Sequence, residues 1–368
     1  MKKMLLGTTA LAVASLMALS GCSSRTGTEG GAGGAEAGFA ADSLIGVALP
    51  SKTSENWVLA GQLFEDGLSE AGFEGDVQYA GASTTVKDQQ DQISAMVTKG
   101  AKVIIIGAAD GGQLATQVSA AKDSGAIVIA YDRLILDTED VDYYVAYDNF
   151  KVGELQGQAL LDGMKAKKPE GPYNIELFSG ASTDANSAVF FNGAMSVLQP
   201  EIDSGNVVVL SGQTDIKQTA TADWKAENAQ SRMDSLLTST YGGSGVELDG
   251  VLSPNDTLAR AIITSVKAAG KPIPIVTGQD SEVESVKSIM AGEQYSTINK
   301  DTRNLVTEAI SMVSTLQAGD TPEINDDETY DNGVKIVPAY LLDPVIVTKE
   351  NAAEAYKDDP TLEPLTQQ

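Results

Sequence analysis

The side chains with the most chemical potential are a carboxylate beside a guanidinium at Asp132–Arg133, a second carboxylate at Asp280, a lysine at Lys300, and the chain's only two tryptophans, Trp57 and Trp224. Around them stand Lys52, Asn56, Asp110, Asn149, Asn186 and Asn255. Donors and acceptors of these types can pair with a polyol, since each hydroxyl both donates and accepts and charge-assisted bonds are the stronger ones. Two indoles could cover the apolar C–H faces of a sugar ring while each N–H finds a partner. Two carboxylates, for example Asp132 and Asp280, could instead hydrolyse a glycoside, but Arg133 and Lys300 as neighbours would hold them ionised and unfit as a general acid.

The chain has no histidine, which removes the commonest general base and metal ligand and excludes serine–histidine and cysteine–histidine catalysis. No metal site is expected either, because the acidic run from Asp320 to Asp331 lacks the spacing and central glycine of a calcium loop. No cofactor is called for. The formal net charge of −26 argues against nucleic acid as a partner.

Each residue also has a plainer reading. A tryptophan is usually core packing, Asp132–Arg133 could be a structural ion pair, and Asn255–Asp256 could cap a helix. Asp110-Gly111-Gly112 could be a turn and Lys300 a solvated lysine. What joins them is position: each follows closely on an apolar or β-branched run, in both halves of the chain.

Those runs alternate with amphipathic stretches from Leu44 onward, the grammar of an α/β fold with parallel sheets. Leu44–Leu49, Val77–Ala80, Val103–Gly107, Ile127–Tyr131 and Val141–Ala146 read as the strands of a first doubly wound lobe. A second round starts after Asn149, with strands at Tyr173–Phe178, Val207–Leu210, Gly250–Ser253, Pro274–Thr277 and Tyr295–Ile298. Two such sheets place their ligand loops at the carboxyl ends of the strands, and a cleft forms where those ends face each other.

The ends of the chain speak of export. Lys2 and Lys3 precede an apolar run from Met4 to Leu19, as in a secretory signal. Leu19-Ser20-Gly21-Cys22 resembles the lipobox of bacterial lipoproteins, and Cys22, the only cysteine, is the expected site of lipid attachment. Expected domains are the signal at 1–22, a flexible tether at 23–43, a first lobe of 44–148 with 301–331, a second of 149–300 with 332–350, and a tail at 351–368. Three crossovers, near Asn149, Lys300 and Asp331, would form the hinge.

Read as whole segments, Ile-Ala-Tyr-Asp132-Arg133-Leu, Tyr-Asp148-Asn149-Phe-Lys-Val-Gly-Glu-Leu-Gln, Leu-Ser-Pro-Asn255-Asp256, Thr-Gly-Gln-Asp280 and Ser-Thr-Ile-Asn-Lys300-Asp-Thr resemble the periplasmic sugar receptors of ABC importers. The likeness is greatest to the multiple-monosaccharide-binding and xylose-binding receptors. It implies a type I periplasmic binding protein fold of two doubly wound lobes and a three-strand hinge. It further implies a non-enzymatic monomer outside the cytoplasm that carries an aldose to the importer's membrane subunits. In that family a ring lies between two aromatics, matched by Trp57 and Trp224, and the pair matched by Asp132–Arg133 binds hydroxyls and the ring-oxygen side. Positions matching Asn255, Asp280 and Lys300 contribute from the other lobe, with Asn186 and Asp110 completing the ring of contacts. Asn56 stands where relatives often have arginine, and Ala185–Asn186 where many have paired asparagines, so xylose, glucose, galactose and arabinose all stay open. A carrier serving a membrane kinase or chemoreceptor is the alternative role.

Overall fold

Strands covered on both faces have no solvent side for polar residues, so they read as unbroken apolar runs. Val103–Ile106 is such a run, with Val103 and Ile105 packed into one core and Ile104 and Ile106 into the other. The computed structural model describes residues 38–367 except 53, 84 and 244. The signal, Cys22 and the tether through residue 37 lie outside the described residues.

The first lobe is built on β1 (Leu44–Leu49), β2 (Glu74–Tyr79), β3 (Val103–Ile106), β4 (Ile127–Tyr131) and β5 (Tyr143–Tyr147). The second has β6 (Tyr173–Leu177), β7 (Val207–Val209), β8 (Gly250–Leu252), β9 (Ile275–Val276) and β10 (Ser296–Asn299). Two further strands, β11 (Ala339–Leu342) and β12 (Val345–Thr348), close the chain's last third. The first sheet is parallel throughout, in the order β11-β5-β4-β3-β1-β2, and the second runs β7-β6-β8-β9, also parallel.

Helices cover both faces of each sheet. In the first lobe α1 (Glu55–Glu70) lies on one face, where Phe64 and Leu68 bury themselves, while α2 (Thr85–Lys99) and α3 (Ala115–Asp123) supply Ile93, Met96 and Val118 to the other. In the second lobe α4 (Asn149–Lys167) and α5 (Ala185–Asp203) share one core, with the short α6 (Ile216–Thr219) beyond them. The opposite core takes α7 (Ala226–Ser239) and α8 (Asp256–Ala268), and α9 (Val283–Met290) follows β9. Next, α10 (Thr302–Gln317) returns to the first lobe beside α1, placing Leu305 and Val313 in its core. The four-residue α11 (Ala352–Ala355) comes last.

Four expectations about the boundaries need correction. The run after Asp331 was assigned to the second lobe, but β11 pairs with β5 of the first. The third crossover therefore lies at Asp343–Pro344, not Asp331, and the proline, which has no N–H to give a ladder, separates β11 from β12. β10 does not extend the parallel sheet; it forms an antiparallel pair with β12, joined to β9 by Tyr295 N–H donating to Val276 O at 3.0 Å. Residues 351–368 were expected as a tail, yet Tyr356 and Leu362 are buried against Val286 and Val347 of the second lobe. At the other end, the tether was drawn through residue 43. Phe39 already packs on Phe73, with ring centroids 6.3 Å apart, and its carbonyl accepts from Gln317.

The tightest contact in the second lobe is between α4 and α5. A Cβ at Gly153 would sit 2.0 Å from the Phe190 carbonyl oxygen and 2.9 Å from the Gly193 Cα, so the helices cross backbone against backbone. That crossing fixes Phe190, which borders the cleft, and with it the start of α4. Gly153→Ala should lower unfolding free energy by about 3 kcal/mol through overpacking that rigid backbone cannot relieve. Denaturant titration checks it, and an unchanged midpoint would contradict the crossing.

Candidate functional site

The carboxyl ends of the two sheets meet at a cavity with about 110 Å³ of water-accessible space. A single water needs roughly 10–15 Å³ on this measure, so the volume suits one small molecule and not a chain of sugar units. Nine of the twelve expected residues line it: Asn56, Trp57, Asp132, Arg133, Asn186, Trp224, Asn255, Asp280 and Lys300.

Three do not, each for a visible reason. Asn149 is buried at the hinge, where its side chain donates to Tyr144 Oη at 3.2 Å and its backbone N–H to Tyr330 Oη at 3.3 Å. Asp110 caps a one-turn 3-10 helix at Gly111–Gln113, so the turn reading was correct, and it lines a wider groove outside the cavity. Lys52 is exposed with its ammonium 4.3 Å from the Tyr79 ring centroid.

The charged residues are paired, one pair across the gap and one within the second lobe. Arg133, from the first lobe, meets Asp184 of the second at 3.0 Å, and its guanidinium lies 5.3 Å from the Trp57 ring centroid. Lys300 meets Asp280 at 3.1 Å and lies 5.4 Å from the Phe190 ring centroid. Burial raises the Asp132 carboxyl above the usual aspartate range; Lys300 and Arg133 oppose this, and Asp184 and Asp280 add to it. Burial acts to lower Lys300, but Asp280 and Asp132 outweigh it and hold the ammonium above its ordinary value.

Backbone bonds reinforce the meeting of the lobes. Asn186 donates to the Asp132 carbonyl at 2.6 Å, an oxygen that Tyr144 Oη of the first lobe holds at 2.8 Å, and Glu55 accepts from the first N–H of α9 at 3.1 Å. Asn255 is the helix cap weighed for it, its side-chain oxygen accepting from Leu258 N–H at 3.0 Å, and it also lines the cavity.

The tryptophans are held differently. Trp57 belongs to the first core and packs edge-on against Tyr131, 6.2 Å between centroids. Trp224 lies on Gly180, where a Cβ would fall 2.1 Å from its ring, and its buried Nε1 has no acceptor among the described residues. It also adopts φ of 54° directly after Asp223 at 56°. Asp132 at 61° and Asp280 at 95° share this left-handed region. Non-glycine residues there cost about 1–3 kcal/mol each and cluster at functional sites.

Sequence reading missed Asp184, Phe190 and Gln279 on the cavity wall. Asp184 carried a signal, since it stands as N-cap before α5 and accepts from Asn186 N–H at 3.0 Å. Phe190 and Gln279 carried none, being an apolar residue inside a helix and an amide before an aspartate.

With this geometry in view, likenesses to known proteins become informative. The family described as periplasmic binding protein domain matches residues 45–321. The multiple sugar-binding periplasmic receptor ChvE of Rhizobium radiobacter is 49% identical over 319 residues, 85% of this chain and 89% of that protein. The D-xylose-binding periplasmic protein of Escherichia coli K12 is 33% identical over 324 residues, covering 88% and 92%. A crystal structure of an ABC transporter solute-binding protein from Clostridium phytofermentans with bound β-D-glucose superposes with TM-score 0.83 at 39% identity, over 88% of this chain and all of that one. The chain belongs to the periplasmic binding protein family and has its two-lobed type I fold.

Proposed function

We propose that this protein captures a monosaccharide, an aldose such as xylose, glucose, galactose or arabinose, outside the cytoplasm and delivers it to an ABC importer. The observation that carries the reading is that both tryptophans, two ion pairs and Asp132 stand on the wall of one cavity of monosaccharide size between two lobes. The relatives' sugar-binding names and the glucose bound in the C. phytofermentans protein support the ligand class.

In this reading the ring lies between Trp57 and Trp224, and its hydroxyls bond to Asp132, Arg133, Asn255, Asp280 and Lys300. Asn56 and Asn186 border them. Contacts to both lobes exist together only when the lobes are closed, so ligand shifts the population toward that state. The importer then recognises the closed surface. Cys22 holds the receptor at the membrane through lipid, and residues up to Phe39 act as the tether. No bond of the sugar is made or broken. A glycosidase reading finds less support, since Asp280, one of the two carboxylates it needs, is engaged by Lys300 at 3.1 Å.

Calorimetric titration with those four aldoses should give saturable heat for at least one, with a smaller radius of gyration for the bound protein in solution scattering. Heat from none of them would contradict the proposal. Asp132→Ala should cost about 3 kcal/mol of binding, on the order of a hundredfold in Kd, because Lys300 and Arg133 lose a compensating charge in a water-poor cleft. Trp224→Ala should cost about 2 kcal/mol. Unchanged affinity in both would move the site elsewhere.

The pH dependence has a fixed sign. A carboxylate that accepts from hydroxyls must be ionised, so affinity is full above the raised pKa of Asp132 and is lost as pH falls through it. The loss should begin at higher pH than for an aspartate of ordinary pKa. Lys300, held above its ordinary value, stays charged and adds no fall near neutrality. Asp132→Asn should bind more weakly yet flatten the acid limb, and titration across pH 4 to 8 reads both.

A further inference from the structure

The second lobe contains a buried acid that the proposed capture mechanism does not use. Asp256 is fully buried and does not line the cavity. Three donors converge on its carboxylate: Glu282 N–H at 3.0 Å, Thr297 Oγ1 at 2.9 Å and Gln294 Nε2 at 2.8 Å. Its own N–H donates to Gln279 O at 3.0 Å. The group therefore ties together the start of α8, the loop after β9 and strand β10. Each of those segments carries or adjoins a cavity residue: Asn255 caps α8, Asp280 lies in the loop, and Lys300 directly follows β10.

The loop needs such a tie. Asp280 and Ser281 are consecutive left-handed residues, with φ of 95° and 52°. They are held by Asp280 N–H donating to Ile298 O at 2.9 Å and Ser281 N–H to Thr297 Oγ1 at 3.2 Å. The Thr297 hydroxyl thus donates to Asp256 while accepting from Ser281, so the carboxylate orients the hydroxyl that holds the turn.

The residue type follows from the donors. Three groups that can only donate here face two oxygens, and a carboxylate is the acceptor-only side chain that satisfies them all; an amide would turn its own N–H₂ toward donors. Burying that carboxylate without a cation against it is costly. Arg260 is engaged with Glu282 instead, at 2.6 Å. Burial, with Glu282 and Asp280 adding to it, raises the Asp256 carboxyl well above its usual range, so the fold tolerates an unfavourable group at this place.

We propose that Asp256 is the positioning residue for the second-lobe half of the sugar site, fixing Asp280 and Lys300 at the spacing that discriminates between sugars differing at one hydroxyl. The inference rests on the monosaccharide reading above. It assigns to a residue that never touches the ligand the selectivity of those that do.

The test is calorimetry of wild type, Asp256→Asn, Thr297→Val and Thr297→Ser with D-glucose and D-galactose, each protein first checked for folding by circular dichroism. Asp256→Asn should lose at least tenfold in affinity for the preferred epimer and narrow the ratio between the two by at least threefold. Thr297→Val should change both in the same direction by less, while Thr297→Ser, which keeps the hydroxyl, should keep wild-type values. A merely structural role would lower the melting temperature and leave the ratio alone. Folded Asp256→Asn with an unchanged ratio overturns the proposal, and if that variant does not fold, an unchanged ratio in Thr297→Val does so. Wild type binding none of xylose, glucose, galactose and arabinose overturns the sugar reading and this inference with it; wild type binding only the pentoses makes D-xylose and L-arabinose, which also differ at one hydroxyl, the pair compared; and wild-type binding with unaltered variants overturns this inference alone.

Discussion

Five charged side chains, Asp132, Arg133, Asp184, Asp280 and Lys300, share one cavity, and burying them together is the constraint on which the arrangement of the molecule depends. An ion removed from water costs several kcal/mol unless it is paired and hydrogen-bonded. Lys300 meets that need beside Asp280, but Arg133, which donates to the Ala108 carbonyl of its own lobe at 3.2 Å, finds its ion pair across the gap, at Asp184. The cost of leaving Arg133 and Asp184 unpaired is thereby linked to the distance between the lobes. Asn186 reaching the Asp132 carbonyl and Glu55 reaching the start of α9 have the same dependence. A ligand with hydroxyls on all sides would add bonds to both halves of this set.

Positioning those charges takes strained backbone. Asp132, Trp224 and Asp280 all have positive φ, Asp132 directly after β4, Trp224 in the connection between α6 and α7, and Asp280 in the loop after β9. Rigid supports hold them: the α4–α5 crossing behind Phe190, Gly180 under Trp224, and the Asp256 carboxylate beneath Asp280. The sheets give stiffness, and the turns at their carboxyl ends give direction. Stability given up at those turns is recovered in the four cores that cover the sheets.

Much of this was legible in the sequence because parallel strands covered on both faces leave long apolar runs, and β1 and β4 fall on the residues expected for them. Nine cavity residues were legible for a topological reason, since side chains just past such strands collect at one edge. That rule ignores what lies behind the edge. Asn149 obeys it and still serves the hinge, and Asp110 obeys it and serves a turn. The last crossing falls at Asp343–Pro344 and not near Asp331 because Pro344 divides the apolar residues 336–347 between strands of different lobes. Asp184 was overlooked because its importance comes from Arg133, a contact between segments 51 residues apart that periodicity does not encode.

The chain's only two tryptophans both stand on the cavity wall, so intrinsic fluorescence reports on the site without any label. Excitation of the indoles during titration with the four neutral aldoses should give a saturable change in emission for at least one sugar. Removing Trp57 or Trp224 singly, by Phe substitution, should diminish that change in each case. Emission that stays constant with every aldose, in protein whose fold is intact, would contradict the claim that the two indoles enclose a sugar.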